Sequence, residues 1–508
     1  MAIKRYTANA DTTITNAFGS NLKTRGTGSN MGLSDSLEVF SIYGQENTGS
    51  TELSRILVKF PTTEMSTDRT NGDLPASGSV KFYLRMFNAK HPSTLPKNFV
   101  LQAMASEQDW EEGYGMDMEE YSDLTYDEDG ANWENASSGT KWNRIGGDFY
   151  ETGSVYKTSF PKGHEDLEID ISELVEDWID GRKSNYGIGL MLTGTQEAYF
   201  SSSVIAGNNG VNQPSSGTVP HNLTGSTRSY YTKKFFARGS EFFFKRPIIE
   251  ARWDSATKDD RGNFYASSSL MTNDDNLNTL YLYNYVRGQL KNIPSIGDSN
   301  IYVRIFDSAT SSIGHQQTAS PATVITGGYV SAGVYSASVT VDTTASLLYD
   351  RWYAADSGGR EGACFHTGTI KVIELKAHNN KPNPKYATSI SNLRSAYSTH
   401  ETARFRTFVR QKDWNPTIYT KATTAIKNNI IESASYQVYR VIDDLKVVAY
   451  GTGSNLHTQL SFDVSGSYFD LDMSLLEAGY SYGIKLSYYN GAVKAWVEQP
   501  ETWKFRVE

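Results

Sequence analysis

The sequence predicts an all-β chain: an N-terminal jelly-roll-like β-sandwich followed by two immunoglobulin- or fibronectin-like β-sandwich domains. Three observations predict it. Aromatics make up 12% of the 508 residues, against 21% charged. Aromatic side chains suit half-buried pleated surfaces, and the abundant Ser, Thr, Gly and Asn suit turns and outward faces. Short alternating or apolar runs recur along the chain with turn residues at their ends, the pattern of sandwiches. A soft prior of roughly 150 residues per domain gives about three domains, each able to bury its own core.

The first region, 1–250, holds strand candidates at 37–40, 55–60, 80–86, 98–104 and 187–192. Each has period-two alternation or a short apolar run. One segment, 172–180, reads as a helix. Ile171, Leu174, Val175 and Trp178 fall on one face, with Ser172 as N-cap and Gly181 as stop. The stretch 201–229 is polar and rich in Gly, Asn and Ser, a long loop of the kind that carries contacts.

The second region, 251–380, has strand candidates at 279–286, 301–306, 334–341, 347–353 and 369–375. The third, 381–508, has them at 403–409, 435–441, 446–450, 459–464, 480–489 and 503–507. Asn379-Asn380-Lys381-Pro382-Asn383-Pro384 reads as the linker between them. No heptad or solenoid period is present.

The formal net charge is −9, which disfavours nonspecific binding to nucleic acid or to anionic membranes. Tyr230-Tyr231 and Lys233-Lys234 resemble a nucleic-acid patch, and the overall charge argues against it. Cys364 is the only cysteine, so no intrachain disulfide can form; beside Phe365 it reads as a buried structural thiol. The N-terminus shows no apolar signal core, and no apolar run is long enough to span a membrane. Folding in a cytoplasm is the expectation.

Motifs for chemistry are sparse. Asp109 to Asp129 carries ten carboxylates and no Lys or Arg. Oxygen-rich loops hold Ca2+, so Asp127, Asp129 and Asn132 are candidate Ca2+ ligands, although EF-hand spacing is missing. A solvated acidic loop is the plainer reading. Glu111, Glu112, Glu119 and Glu120 could pair for glycoside hydrolysis, but nothing selects a pair. His164-Glu165-Asp166 lacks the second His of a zinc-protease helix, and His366 near Cys364 does not make a zinc site. Gly26, Gly28 and Gly32 depart from dinucleotide-binding spacing. No catalytic residue and no cofactor other than Ca2+ is expected. The candidate binding residues are Tyr199, Phe200, Tyr230 and Tyr231, which flank the 201–229 loop.

The most specific signal is an ordered series of motifs. It opens with Ala10-Asp11-Thr12-Thr13-Ile14 and Ser54-Arg55-Ile56-Leu57-Val58-Lys59-Phe60. Trp110-Glu111-Glu112-Gly113, Asn132-Trp133, Trp142 and Gly146-Gly147-Asp148 follow. The helix with Trp178 and the turn Asn185-Tyr186-Gly187 come next. Phe235-Phe236-Ala237-Arg238 and Arg246-Pro247-Ile248-Ile249-Glu250 close the series.

In this order the region resembles the DNRLRE family, which is similar to alginate-binding carbohydrate-binding modules and related jelly-roll propeptide-like domains. It departs from the family at Ala237, where members carry Ser. The four tryptophans are expected to plug the ends of the sandwich; stacking on a sugar face is the alternative. Each would contribute on the order of 4–6 kcal/mol at most through burial.

The resemblance implies attachment more than catalysis. Members are mostly secreted bacterial wall or carbohydrate-active proteins, or structural proteins of marine bacteriophages. The tandem with two further sandwiches also resembles structural proteins of tailed marine phages. The expectation is therefore a non-enzymatic virion protein, assembled in the host cytoplasm. It would decorate or connect tail, neck, baseplate or capsid in several symmetric copies beside other virion proteins. The alternatives are a host-receptor protein that binds surface polysaccharide, and a secreted polysaccharide-active protein.

Overall fold

The computed structural model describes residues 2–19, 25–43, 51–90, 96–116, 130–200, 205–206, 212–213, 219–309, 319–320, 324–355, 361–373, 383–412 and 428–508. The protein is an all-β, multi-domain sandwich. It divides into two compact units, Ala2–Trp253 and Asp254–Glu508.

The first unit holds β1 (Ile3–Thr7), β2 (Ala10–Thr15), β3 (Ser36–Tyr43), β4 (Thr51–Lys59) and β5 (Lys81–Met86). Next come β6 (Phe99–Ala105), β7 (Asn135–Ser137), β8 (Thr140–Lys141), β9 (Val155–Phe160) and β10 (Leu167–Asp170). The last are β11 (Ile188–Leu192), β12 (Ile205–Ala206), β13 (Asn212–Gln213), β14 (Tyr230–Phe236) and β15 (Ile248–Arg252). One sheet runs β1-β15-β5-β10, and the other β14-β3-β4-β11-β6-β9 with β2 also paired to β4. Take the eight strands β1, β4, β5, β6, β9, β10, β11 and β15 in chain order. One sheet orders them first, eighth, third, sixth; the other second, seventh, fourth, fifth. This is the jelly-roll arrangement. The core between the sheets joins Phe82, Leu84 and Ile249 to Ile56, Val58, Leu101 and Leu190.

Two helices accompany these sheets. α1 (Thr62–Asn71) has no apolar stripe and was not expected from the sequence. Its anchors are single residues: Met65 enters the core, and Asp68 accepts the Tyr6 hydroxyl at 2.6 Å and the Lys4 ammonium at 2.6 Å. Arg69 reaches both carboxylate oxygens of Glu176 on α2 (Ser172–Ile179). Ser172 begins α2 but does not cap it. Its hydroxyl bonds Asp170 and accepts the Phe82 amide, and Asp170 accepts the Ser172 amide. Gly181 follows the helix with φ +70°, as its stop position requires.

The second unit contains two sandwiches. In the earlier one the strands follow the order Phe264–Tyr265, Glu361–Ile373, Leu347–Ala355, Ile301–Phe306, Ile325–Ser331, Val334–Val341, Asn278–Tyr283, with Ala319–Ser320 paired to Val334–Val341. Ile325–Ser331 turns the corner. Its first part pairs with Ile301–Val303 and its second with Val334–Ser336. Asp350 is fully buried on this sheet. Both its oxygens meet the Arg261 guanidinium, at 2.6 and 2.7 Å, and one also accepts the Trp352 indole N–H. Cys364 corrects an expectation: the thiol is exposed. It lies where the pairing of Leu347–Ala355 with Glu361–Ile373 slips register, in a strand end whose Gly362, Ala363 and His366 are exposed as well.

In the later sandwich one sheet runs Tyr386–Ile390, Thr402–Gln411, Gly466–Asp472, Ser461–Asp463. The other runs Ala396–Tyr397, Trp503–Val507, Ser481–Asn490, Ala434–Arg440, Lys446–Val448. This is the immunoglobulin-type strand order. Tyr482, near the start of its strand, donates its hydroxyl to the Glu477 carbonyl at 2.9 Å, the tyrosine corner of such folds. The hydroxyl pins the crossing between the sheets.

Candidate functional site

The centre of the larger sheet of the first sandwich is buried on both faces. Every residue of β4 but its last is buried, as is every residue of β11. One face meets the main core. Against the other lies a second apolar layer of Leu57, Met104, Trp110, Trp133, Trp142 and Phe149. Three of the four signature tryptophans therefore cover a sheet face and do not plug the sandwich ends; Trp178 alone joins the main core. All four are buried, with no ring face for a sugar. Gly189 of β11 makes room for this layer: a Cβ there would sit 2.0 Å from the Phe149 ring.

Charged and polar motif residues fasten the layer to the sheet. Arg55 donates to the Gly146 carbonyl at 2.8 Å and to Glu197 at 3.3 Å, and its guanidinium lies over Trp133. Lys59 bonds Asp109 and lies over Trp110. Gly147 takes φ +101°, which lets Asp148 turn back and accept the Asn143 and Arg144 amides, both at 2.8 Å. The Trp110 indole donates to the Tyr186 carbonyl at 2.7 Å.

The opening, middle and closing motifs meet in one cluster. Arg238 grips both oxygens of Glu112, at 2.9 and 2.6 Å. Glu112 also accepts the Asp11 amide, and Asp11 accepts the Arg238 amide at 2.5 Å. Burial pushes the Asp11 carboxyl up to about 7, with Glu112 adding to the rise and Arg238 opposing it. Asn30, which the sequence reading missed, ties both flanks of the acidic stretch. Its amide donates to the Glu112 and Ala131 carbonyls and its oxygen accepts the Gly32 and Gly115 amides. A lone Asn in a Gly/Ser-rich loop gave no signal of this.

On the same outer face, beside the tryptophan layer, lies a groove of about 910 Å3. Met104, Ile145, Phe149 and Met191 give it apolar lining, and Gln102, Arg144, Glu151, Lys157, Glu197, His221 and Asn222 supply its polar groups. Glu151 and Glu197 are tied to Arg144 and Arg55. Arg55 Nε and His221 Nδ1 are buried without a hydrogen-bond partner among the described residues. The groove can therefore donate and accept hydrogen bonds beside apolar side chains, the makeup of a polar-ligand site.

The four expected binding residues lie outside this lining. Tyr199 and Phe200 close the base of the 201–229 excursion, by bonds from the Tyr199 amide to Ser226 and between Phe200 and Asn222 in both directions. Tyr230 and Tyr231 stack at 4.9 Å, and Tyr231 also packs against Phe99. The excursion still contributes, through Pro220, His221 and Asn222.

Of the Ca2+ candidates, Asp127 and Asp129 lie outside the described residues. Asn132 is buried, and its side-chain oxygen accepts the Glu134 and Asn135 amides at 2.9 and 2.8 Å. No group of three or more acidic, His or Cys side chains able to hold a metal occurs among the described residues. No helix among them is long and apolar enough to cross a membrane.

No family model matches the chain, and no curated protein does. Among solved structures, one similar chain is the trypsin-activated alpha-2-macroglobulin of Escherichia coli. The identity is 11%, over 92% of this chain and 30% of that one, with a TM-score of 0.14. The chain thus spans under a third of that protein's length, and a likeness this slight carries no argument.

Proposed function

We propose that the chain is a non-enzymatic structural protein of a virion, of the tailed-phage kind, which joins or decorates neighbouring subunits through its sandwich surfaces. One observation carries this reading. The motif residues most able to do chemistry (Asp11, Arg55, Glu112, Asp148 and Arg238) serve internal bonds that fasten loops to a sheet. A signature made of such residues marks an architecture. The resemblance to the DNRLRE family, and to phage structural proteins built from the same tandem, supplies the setting. The test is direct detection in purified particles by peptide mass spectrometry. Stoichiometric recovery with the major structural proteins supports the reading; absence from particles whose genome encodes the chain overturns it.

The groove favours a second reading, recognition of host surface polysaccharide. Lys157, His221 and Asn222 line a groove of the size that ligand sites occupy. A glycan array probed with the full chain and with Lys157→Ala separates the two. Saturable binding that the substitution weakens favours recognition, and silence across host-envelope glycans leaves assembly.

A further inference from the structure

We propose that the third sandwich carries a docking cleft for an extended, acidic strand of a partner protein. The inference stands on the geometry of 383–500 alone, whether or not the virion reading holds.

The cleft measures about 760 Å3, and its walls include Lys385, Tyr386, Lys412, Ile431, Tyr488 and Val497. Two strand edges border it. Tyr386–Ile390 ends its sheet, and Ala495–Glu498 pairs only with Ser481–Asn490 among the described residues. The direction of the free backbone groups follows from the ladder. Tyr489 gives its N–H to the Ser433 carbonyl at 2.9 Å, on the side away from Ala495–Glu498. Its cross-strand partner is Trp496. Such a pair is the non-hydrogen-bonded kind, so the Trp496 N–H and C=O point out of the sheet edge. Glu498, two residues on, points the same way. On the other wall the Lys412 amide bonds the Lys385 carbonyl, and by alternation Tyr386 and Thr388 face outward.

Open edges are what proteins cover or blunt. Here the edge is also apolar: Val497 is 42% exposed and Tyr489 44%. A strand laid along Trp496 and Glu498 would continue the sheet and send alternate side chains into the cleft, the mode in which backbone bonds give affinity and pockets give specificity. Charge selects the occupant. Neither Lys385 nor Lys412 has a carboxylate within ion-pair distance among the described residues, while Glu498 is already tied to Lys485 at 3.0 Å. The strand that fits brings its own carboxylates to the two lysines and a β-branched or aromatic side chain to the Tyr386–Tyr488 corner.

The test uses the full chain and three short synthetic peptides in which Val and Tyr alternate with Glu, with Ser or with Lys. Amide hydrogen exchange and fluorescence anisotropy are read together. The Glu peptide is expected to slow exchange at Trp496 and Glu498 and to bind most tightly. The double variant Lys385→Glu/Lys412→Glu should weaken it by more than about tenfold. Trp496→Pro removes the outward N–H, along with the indole that packs on Tyr489, and should abolish the protection at Glu498; the lysine variant keeps the test valid if this one fails to fold. Equal protection by the Lys peptide, or none by any peptide, overturns the proposal. Protection that grows with protein concentration alone gives the edge to a second copy and overturns it too.

Discussion

In the first sandwich the long crossings between strands are held by charged side chains that reach across the sequence. Arg238 holds Glu112, Arg55 holds Gly146 and Glu197, and Lys59 holds Asp109. In the third sandwich the ties are mostly rings, with one hydroxyl and one charged tie, Arg440 meeting Asp443 at 2.6 Å and Glu477 at 2.7 Å. Tyr436 stacks on Phe469 at 4.1 Å, Phe469 on Phe405 at 5.1 Å, and Tyr482 pins the Glu477 carbonyl. Its ion pairs Arg404–Asp470 and Arg406–Asp463 lie on partly exposed faces, where such pairs contribute about 0–1 kcal/mol. The difference lies in where the ties sit. The rings meet inside the core, Phe405 and Phe469 as cross-strand partners and Tyr436 from the facing sheet, whereas the segments 106–116 and 130–154 lie outside the main core and are fastened point to point. Charged ties at fixed points leave a motif; a ring stack does not.

The strongest way to break the comparison is to remove the centre of each tie. Trp133 is fully buried in the outer layer and Phe469 nearly so in the third core. Trp133→Ala and Phe469→Ala should each cost about 3–5 kcal/mol. In calorimetry the first should lower only the transition of Ala2–Trp253, the second only that of Asp254–Glu508. A Trp133→Ala loss under about 1 kcal/mol would mean the outer layer is not a core.

A pH series sharpens it further. The Asp11 carboxyl, pushed up to about 7 by burial, binds its proton more tightly folded than unfolded. The stability it contributes is complete below about pH 4 and is lost as pH rises through about 7, by up to about 4 kcal/mol. Asp11→Asn, which keeps an oxygen for the Arg238 amide, should flatten that window in the first unit. Glu250 works oppositely. Burial raises it, but Arg85, Arg5 and Arg252 outweigh burial and hold it well below the usual carboxylate range, so its stability is present above about pH 4.5 and lost in acid. The stacked core of the third sandwich has no such group at its centre. An unchanged slope in Asp11→Asn removes the pH half of the contrast.

How far this was legible in the sequence depends on the physical signal. Ile301–Phe306, Val334–Val341 and Trp503–Val507 stand where their alternation put them. The second cover on the larger sheet was also written there. Ile56-Leu57-Val58 and Ile188–Leu192 are continuous apolar runs, and strands buried on both faces read that way. The missing step was to ask what covers the second face, and the tryptophans are the answer. Other features had no periodic signal. α1 depends on Met65, Asp68 and Arg69 meeting partners far along the chain. Cys364 lies in a strand end exposed together with Gly362, Ala363 and His366, which composition does not encode. The groove draws Gln102, Lys157 and His221 from separate segments, and no spacing announces such a site.

Tyr482→Phe measures the hydroxyl tie by itself. It should cost the third sandwich about 1 kcal/mol, the worth of one hydrogen bond, with no pH dependence below the tyrosine range. Equality with Arg55→Met in the first sandwich would erase the distinction between the two kinds of tie, because truncating one partner of a largely buried pair, each side chain 11% exposed, should cost more, about 3–5 kcal/mol.

The smallest effect belongs to Tyr230, 60% exposed and stacked on Tyr231. Tyr230→Ala should change stability by under about 0.5 kcal/mol, since the ring leaves neither core and β14 keeps its pairing with β3. It should also leave any ligand of the groove untouched, because Tyr230 does not line it, whereas Lys157→Ala alters the lining directly. If Tyr230→Ala weakens glycan binding and Lys157→Ala does not, recognition runs through the aromatic pair beside the excursion, and the first sandwich would then use rings at its surface as the third uses them in its core.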